Sequence, residues 1–246
     1  MDRPPLQLLW ARCSDFADRF GALEARLPDD ERYRAAAFKV AEARRRFVLG
    51  RALLRHWFGA AVGADPRSLA ISIGEHGKPG LSGVAHAPDF NLSHSADIAV
   101  LAVAPAAVGV DVEALRAVPK ADRLAHRFFS RAEEAAVRAA EAADRDRVFF
   151  RIWTQKEAWL KATGLGVGMP LRELETEPDP SRPPRVIAVS KDRDEAARWS
   201  LTEITIPDAV CIVAVAGSSP GIDVLQIHPD DLGRVIEGST GTIHQQ

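Results

Sequence analysis

Asp111 and Glu113, separated by Val112, are the first place in this chain where side-chain chemistry could converge. In an extended segment side chains alternate between faces, so both carboxylates point to one side and Val112 to the other. Oxygen donors of this kind suit a hard cation such as Mg²⁺, which keeps several waters and takes phosphate oxygens as further ligands. Such a site needs a third carboxylate, and Glu157 is the candidate. It lies in Trp153-Thr154-Gln155-Lys156-Glu157-Ala158-Trp159-Leu160-Lys161. Read as a helix, this region puts Phe149, Phe150, Ile152, Trp153, Trp159 and Leu160 on one broad apolar arc. Arg147, Arg151, Thr154, Gln155 and Ala158 take the opposite, wet side. Lys156 falls inside the arc, where it either snorkels or pairs with a carboxylate of the same site. Glu157 and Lys161 sit at its edge, and their i,i+4 spacing lets both heads reach one point. Gly164 stands where a C-cap glycine would end the helix.

Other candidates are scattered. Ser93-His94 stands just before an apolar strand, in a loop where an imidazole can face a cleft. No G-x-S-x-G elbow surrounds Ser93, and neither a Walker A loop nor a G-x-G-x-x-G turn is present. Any phosphate must therefore be held by separate Lys, Arg and His side chains. Lys78 lies in the turn-rich loop Gly74–Gly80. Arg44, Arg45, Arg46, Arg51 and Arg55 cluster on a helix expected from a cap at Asp29 or Asp30 to about Phe58. Arg51 interrupts the apolar stripe of Phe47, Leu54 and Phe58, with Arg44 two turns earlier. Ser130 and Glu133 have capping-box spacing, which gives Glu133 a structural role.

The elements that must carry these residues follow from periodicity. Strands are expected at 6–10, 69–73, 98–104, 108–112, 186–189, 199–206 and 210–215, and a second helical section from near Lys120. The run Ala99–Ala104 echoes Cys211–Ala216, each ending a stretch that contains a long aromatic helix. Two similar α+β halves, 1–107 and 108–217, would bury their apolar faces and leave a cleft between them. Residues 218–246 read as a loosely attached tail, with a short helix possible at 229–237. The 246 residues are 46% hydrophobic and 27% charged, as in ordinary globular proteins. A net charge of −2 gives no general attraction for nucleic acid or an anionic membrane. Two distant cysteines, no signal-peptide pattern and no membrane-length apolar run point to a reduced, cytoplasmic protein.

Taken in order, Gly77-Lys78-Pro79, Phe90–Ser95, Gly109–Glu113, Phe128–Glu133 and Trp153–Lys161 resemble the motifs of the 4′-phosphopantetheinyl transferases. Their order and spacing are similar to the long, pseudo-dimeric Sfp-type branch over residues 30–215, and the length argues against the short, trimeric carrier-synthase branch. The resemblance implies an α+β monomer of two halves related by a pseudo-two-fold axis, with the active site between them. It implies Mg²⁺ held by Asp111, Glu113 and Glu157 against the diphosphate of coenzyme A, with His94 and Lys161 on its phosphates. Lys78 and Ser93 would bind the nucleotide end. Arg51 and Arg44 lie on the helix that supplies basic residues to phosphate, and Trp153 would pack beneath the site. The implied reaction is attack of a serine hydroxyl of an apo acyl or peptidyl carrier protein on the β-phosphate, releasing 3′,5′-ADP, with Glu157 as candidate base. A silent coenzyme A-binding module and an Mg²⁺-dependent coenzyme A hydrolase are the competing readings.

Overall fold

The computed structural model describes residues 6–74, 78–84, 86–218 and 221–236. The chain opens with β1 (Leu6–Arg12), α1 (Phe20–Ala25), α2 (Asp29–Ala36) and α3 (Ala41–Val62). The single helix expected from Asp29 to Phe58 is thus two, interrupted around Phe38-Lys39-Val40. Asp29 and Asp30 lie in the first turn of α2, where acidic groups favour the helix dipole, and Pro28 holds the cap position. Then come β2 (Ile71–Ile73), β3 (Pro79–Leu81), β4 (Asp89–Ser95) and β5 (Ile98–Ala104). The second half runs β6 (Val108–Ala114), α4 (Ala121–Phe128), α5 (Arg131–Ala139), α6 (Arg145–Thr163), β7 (Leu174–Thr176), β8 (Val186–Val189), α7 (Arg193–Ala197), β9 (Trp199–Ile204) and β10 (Ala209–Ala216). It is followed by β11 (Ile222–Gln226) and α8 (Pro229–Ile236).

The sheets repeat one plan. One has the order β11-β1-β5-β4 and the other β6-β10-β9. Within them β1-β5-β4 and β6-β10-β9 are both antiparallel triplets whose middle strand comes last in sequence. The long helices α3 and α6 take matching places in chain order, and each ends on a left-handed glycine, Gly63 or Gly164. The echo between Ala99–Ala104 and Cys211–Ala216 is therefore an echo between the two middle strands.

Alternation explains the layering. On β5, Val100 and Ala102 join Leu8, Val110, Val112, Cys211 and Val213 in a core between the two sheets. Ala99, Leu101 and Val103 face the other way, into a core with Leu49, Leu53, Leu54 and Phe58 of α3. On the far side, Val210, Ile212 and Ala214 pack with Ile152, Trp159 and other residues of α6. The central strands are buried on both faces and read as unbroken apolar runs, as such strands must.

The segment after β10 is not a loose tail where it is described. Strand β11 pairs in parallel with β1, and Ile227 and Leu232 enter the core of the first half. Among the described residues, no helix is long and apolar enough to cross a membrane.

Candidate active site

Strand β6 builds one wall. Val108, Val110 and Val112 point between the sheets, so Gly109, Asp111 and Glu113 face α6. Gly109 is what lets the helix come close: a Cβ there would lie 2.2 Å from the Ala158 carbonyl oxygen and 2.3 Å from the Ala162 nitrogen. Close approach brings Lys161 onto Asp111, with Nζ 2.6 Å from Oδ1.

Strand β4 builds the second wall through a seam of side chains, and it carries Ser93 and His94, which pair with Val100 and Ala99 of β5 as strand residues and do not lie in the expected loop. The side-chain oxygens of Asp89, Asn91, Ser93 and Ser95 accept from the backbone N–H groups of Val108, Val110, Val112 and Ala114 at 2.8, 3.0, 3.3 and 3.2 Å. Every second side chain of β4 thus caps every second amide of β6, and the edge of β6 is satisfied without a backbone ladder. Ser93 Oγ also donates to Asp111 Oδ1 at 3.1 Å and accepts from Lys161 Nζ at 3.0 Å. With one proton given and two bonds accepted, this hydroxyl is saturated.

The electrostatics fit an acidic group waiting for a cation. Burial is the largest cause raising the Asp111 pKa; Lys161 and Ser93 oppose it, and Glu113 adds to it. Glu157 is raised by burial first, then by Asp111 and Glu113, while Lys161 opposes. Asp111 Oδ2 is buried and has no hydrogen-bond partner. An orphaned carboxylate oxygen among oxygen-only donors fits Mg²⁺ by chemistry. Among the described residues, however, no trio of acidic, His or Cys side chains is already gathered as a ligand cage. Side-chain movement is required to close one, and Asp111 Oδ2 is open to a cation while Lys161 holds Oδ1.

His94 is pushed below its ordinary pKa by burial first, against a backbone hydrogen bond, and then by Arg46 and Lys161. Arg46 belongs to the arginine cluster read from sequence but is not among the residues assigned to the site there. It donates to the Ala96 carbonyl at 3.0 Å, and its Nε is buried without a partner. The signal was present: Leu49, Gly50 and Leu53, at i+3, i+4 and i+7 from Arg46, are all fully or nearly buried, which places Arg46 on the core-facing stripe of α3.

The other arginines divide. Arg44 is held by Glu24 through three contacts, the shortest 2.7 Å. Arg55 bonds Glu31 and the Pro66 and Leu69 carbonyls. Arg51 lies 3.4 Å from Glu31, above the Phe47 ring, and its Nη1 is buried without a partner. It lines a recess of about 420 Å³ with Arg34 and Arg67. Lys78 is placed in the seam, where its ammonium meets Asp89 at 2.5 Å and the Val108 and Ala162 carbonyls at 3.0 and 3.4 Å. Gly77 lies outside the described residues.

Helix α6 departs most from its sequence reading. Most of the side expected to be wet is buried: Arg151, Thr154, Gln155 and Ala158 lie between 0% and 4% exposed, while Arg147 stays exposed as expected. The strand-poor segment 177–185 folds over it. Arg151 donates to the Glu177, Asp179 and Arg182 carbonyls and pairs with Glu203, while Gln155 bonds the Glu177 carbonyl and accepts from Arg185 N–H. Lys156 does not pair with a carboxylate of the site. It is fully buried against Glu133 at 2.8 Å and also donates to the Leu171 and Leu174 carbonyls. Glu133 forms the expected capping box with Ser130 and also accepts from Thr176 N–H and Oγ1. One pair thereby ties α6, α5 and β7 together. Trp153 packs on Phe149 and edge-on to Phe128. With Glu157, Leu160, Met169, Arg127 and Arg172 it lines a cavity of about 460 Å³.

Comparisons with known proteins agree with this arrangement. A model of the 4′-phosphopantetheinyl transferase superfamily matches residues 107–214, and one of the 4′-phosphopantetheinyl transferase N-terminal region matches 14–106. The chain is 38% identical over 201 residues to the 4′-phosphopantetheinyl transferase HetI of Nostoc sp., covering 79% of each. It is 30% identical over 217 residues to a phosphopantetheinyl transferase of Thraustochytrium sp., covering 81% of this chain and 74% of that one. To the 4′-phosphopantetheinyl transferase Sfp of Bacillus subtilis it is 29% identical over 142 residues, 58% of this chain and 62% of Sfp. With both halves matched in order and a relative 38% identical over 79% of each chain, the chain belongs to the 4′-phosphopantetheinyl transferase superfamily, in its Sfp-type branch.

Proposed function

We propose that this protein transfers the 4′-phosphopantetheine group of coenzyme A to a serine hydroxyl of an apo acyl or peptidyl carrier protein, releasing 3′,5′-ADP. The observation that carries the reading is the pairing of Lys161 with Asp111, with a buried Asp111 oxygen left unpaired and Glu113 and Glu157 within electrostatic reach. Mg²⁺, held by Asp111, Glu113 and Glu157, would neutralise charge on the diphosphate. Lys161 binds the phosphate oxygens beside it, exchanging part of its bond to Asp111 for them. His94 lies within electrostatic reach of Arg46 and Lys161, so the three would share an anion bound between them. A neutral imidazole there donates an N–H to phosphate.

Glu157 accepts the serine proton. It lines the cavity from which an acceptor can approach. Arg127 and Arg172 on that cavity would complement acidic residues near the carrier serine. At the nucleotide end, the unpaired Nη1 of Arg51, with Arg34 and Arg67, is the basic group assigned to the 3′-phosphate. Ser93, bonded to Asp111, and Lys78, bonded to Asp89, brace the strands through the seam. Arg44, held by Glu24, has no part in this reading.

The test is release of 3′,5′-ADP from coenzyme A with Mg²⁺, measured with and without an apo carrier. Carrier-dependent release, abolished by Glu157→Gln, is expected. Release without a carrier would identify a hydrolase instead, and binding of coenzyme A with no release in either case would identify a silent binding module.

A further inference from the structure

The seam between β4 and β6 does more than join two halves. Glu113 ends the acidic pair, and its Oε2 receives two donors. Ser95 Oγ donates to it at 2.8 Å, and Arg116 Nη1 at 3.1 Å. The serine is itself fixed, because the Ala114 N–H donates to the same hydroxyl at 3.2 Å. With one lone pair so engaged, its single proton is directed to Glu113. Arg116 is held less firmly. Its side chain is 57% exposed, its guanidinium lies over the Phe150 ring at 4.7 Å, and it also reaches the Ala114 carbonyl at 3.1 Å. Among the described residues no donor is bonded to Glu113 Oε1.

We propose that Ser95 is a positioning residue that fixes the Glu113 carboxylate through Oε2, leaving Oε1 for the divalent cation and limiting capture of the whole carboxylate by Arg116. The inference rests on the reading of Asp111, Glu113 and Glu157 as Mg²⁺ ligands. Ser93 cannot substitute for Ser95, because its hydroxyl is already saturated by Asp111, Lys161 and Val112. A half-exposed arginine is a poor positioning device by itself: two guanidinium nitrogens can take both carboxylate oxygens at once and withdraw them from a metal. Outer groups that orient metal-binding carboxylates typically change affinity about 10- to 100-fold when removed. The low end applies to one of three ligands.

The experiment compares wild type, Ser95→Ala, Ser95→Thr and Ser95→Ala/Arg116→Gln. Mn²⁺ binding in the presence of coenzyme A is read by electron paramagnetic resonance, beside thermal unfolding and Mg²⁺ titration of transfer. Ser95→Ala is expected to weaken Mn²⁺ binding about tenfold and to raise half-saturating Mg²⁺ to match, with kcat at saturating Mg²⁺ near wild type. Ser95→Thr keeps the hydroxyl and restores binding, and the double variant recovers part of the loss. Unchanged Mn²⁺ affinity in Ser95→Ala, or an equal loss in Ser95→Thr, overturns the role of Ser95 while leaving the transferase reading intact. No Mn²⁺ binding by wild type overturns the ligand assignment itself.

Discussion

Gly109→Ala tests whether the contact of α6 with β6 sets the chemistry. Gly109 does not have a left-handed φ, so the substitution acts through space alone. The added methyl would meet backbone at 2.2, 2.3 and 2.9 Å, from Ala158 O, Ala162 N and Ala162 Cα. Ordinary contact needs well over 3 Å, so strand and helix must part by about 1 Å. Backbone atoms cannot turn aside as a side chain can, which puts the penalty at the upper end of overpacking, about 3 kcal/mol. The same displacement stretches the Lys161–Asp111 contact from 2.6 Å to beyond hydrogen-bond range. Misplacement on that scale is expected to lower kcat/KM about 100-fold. Urea unfolding with steady-state kinetics on a carrier reports both. Stability within about 0.5 kcal/mol of wild type together with undiminished turnover would refute the reasoning, because it would mean that the two elements part without consequence.

Lys156→Met removes one member of a fully buried pair and leaves Glu133 charged among its other donors; a loss of about 3–5 kcal/mol in urea unfolding is expected. Lys156→Met/Glu133→Gln should recover at least half of it, and a double variant no better than the single would contradict the pairing. His56 is buried with Nδ1 unpaired, and burial lowers its pKa, against a smaller opposing effect of Asp231. The unfolded chain therefore binds the proton more readily, so stability is present above the ordinary histidine value and lost as pH falls through the depressed one. His56→Gln should flatten the decline in unfolding temperature on the acid side of neutrality, and an unaltered slope would count against it. Cys13 is buried, and burial with Asp97 nearby pushes its thiol up to about 11; it should resist iodoacetamide at pH 8 until the fold is opened by denaturant.

Much of the site was legible because it is local. The two-residue period put Asp111 and Glu113 on one face, and i,i+4 spacing put Glu157 beside Lys161. The strand at Val186–Val189 and the capping box at Ser130–Glu133 needed only their own neighbours. What was not legible depended on distant chain. Thr154 and Gln155 read as solvent-facing because nothing nearby covers them; the segment that does arrives more than twenty residues later. Helical geometry buried Lys156 correctly, but its partner Glu133 belongs to another helix, so the pairing could not be read from period. The arginines turned on helix register, which Arg46 satisfies through Leu49, Gly50 and Leu53. The return of β11 to β1 is a parallel pairing across almost the whole chain, with no local signal to announce it.

The central claim is transfer to a carrier serine, and intact-mass spectrometry tests it most directly. Several apo acyl and peptidyl carriers are incubated with this protein, coenzyme A and Mg²⁺. The account predicts that at least one gains a single phosphopantetheine group, lost when its serine is replaced by alanine and absent with Glu157→Gln. No gain on any carrier, from a folded protein that binds coenzyme A, would contradict it.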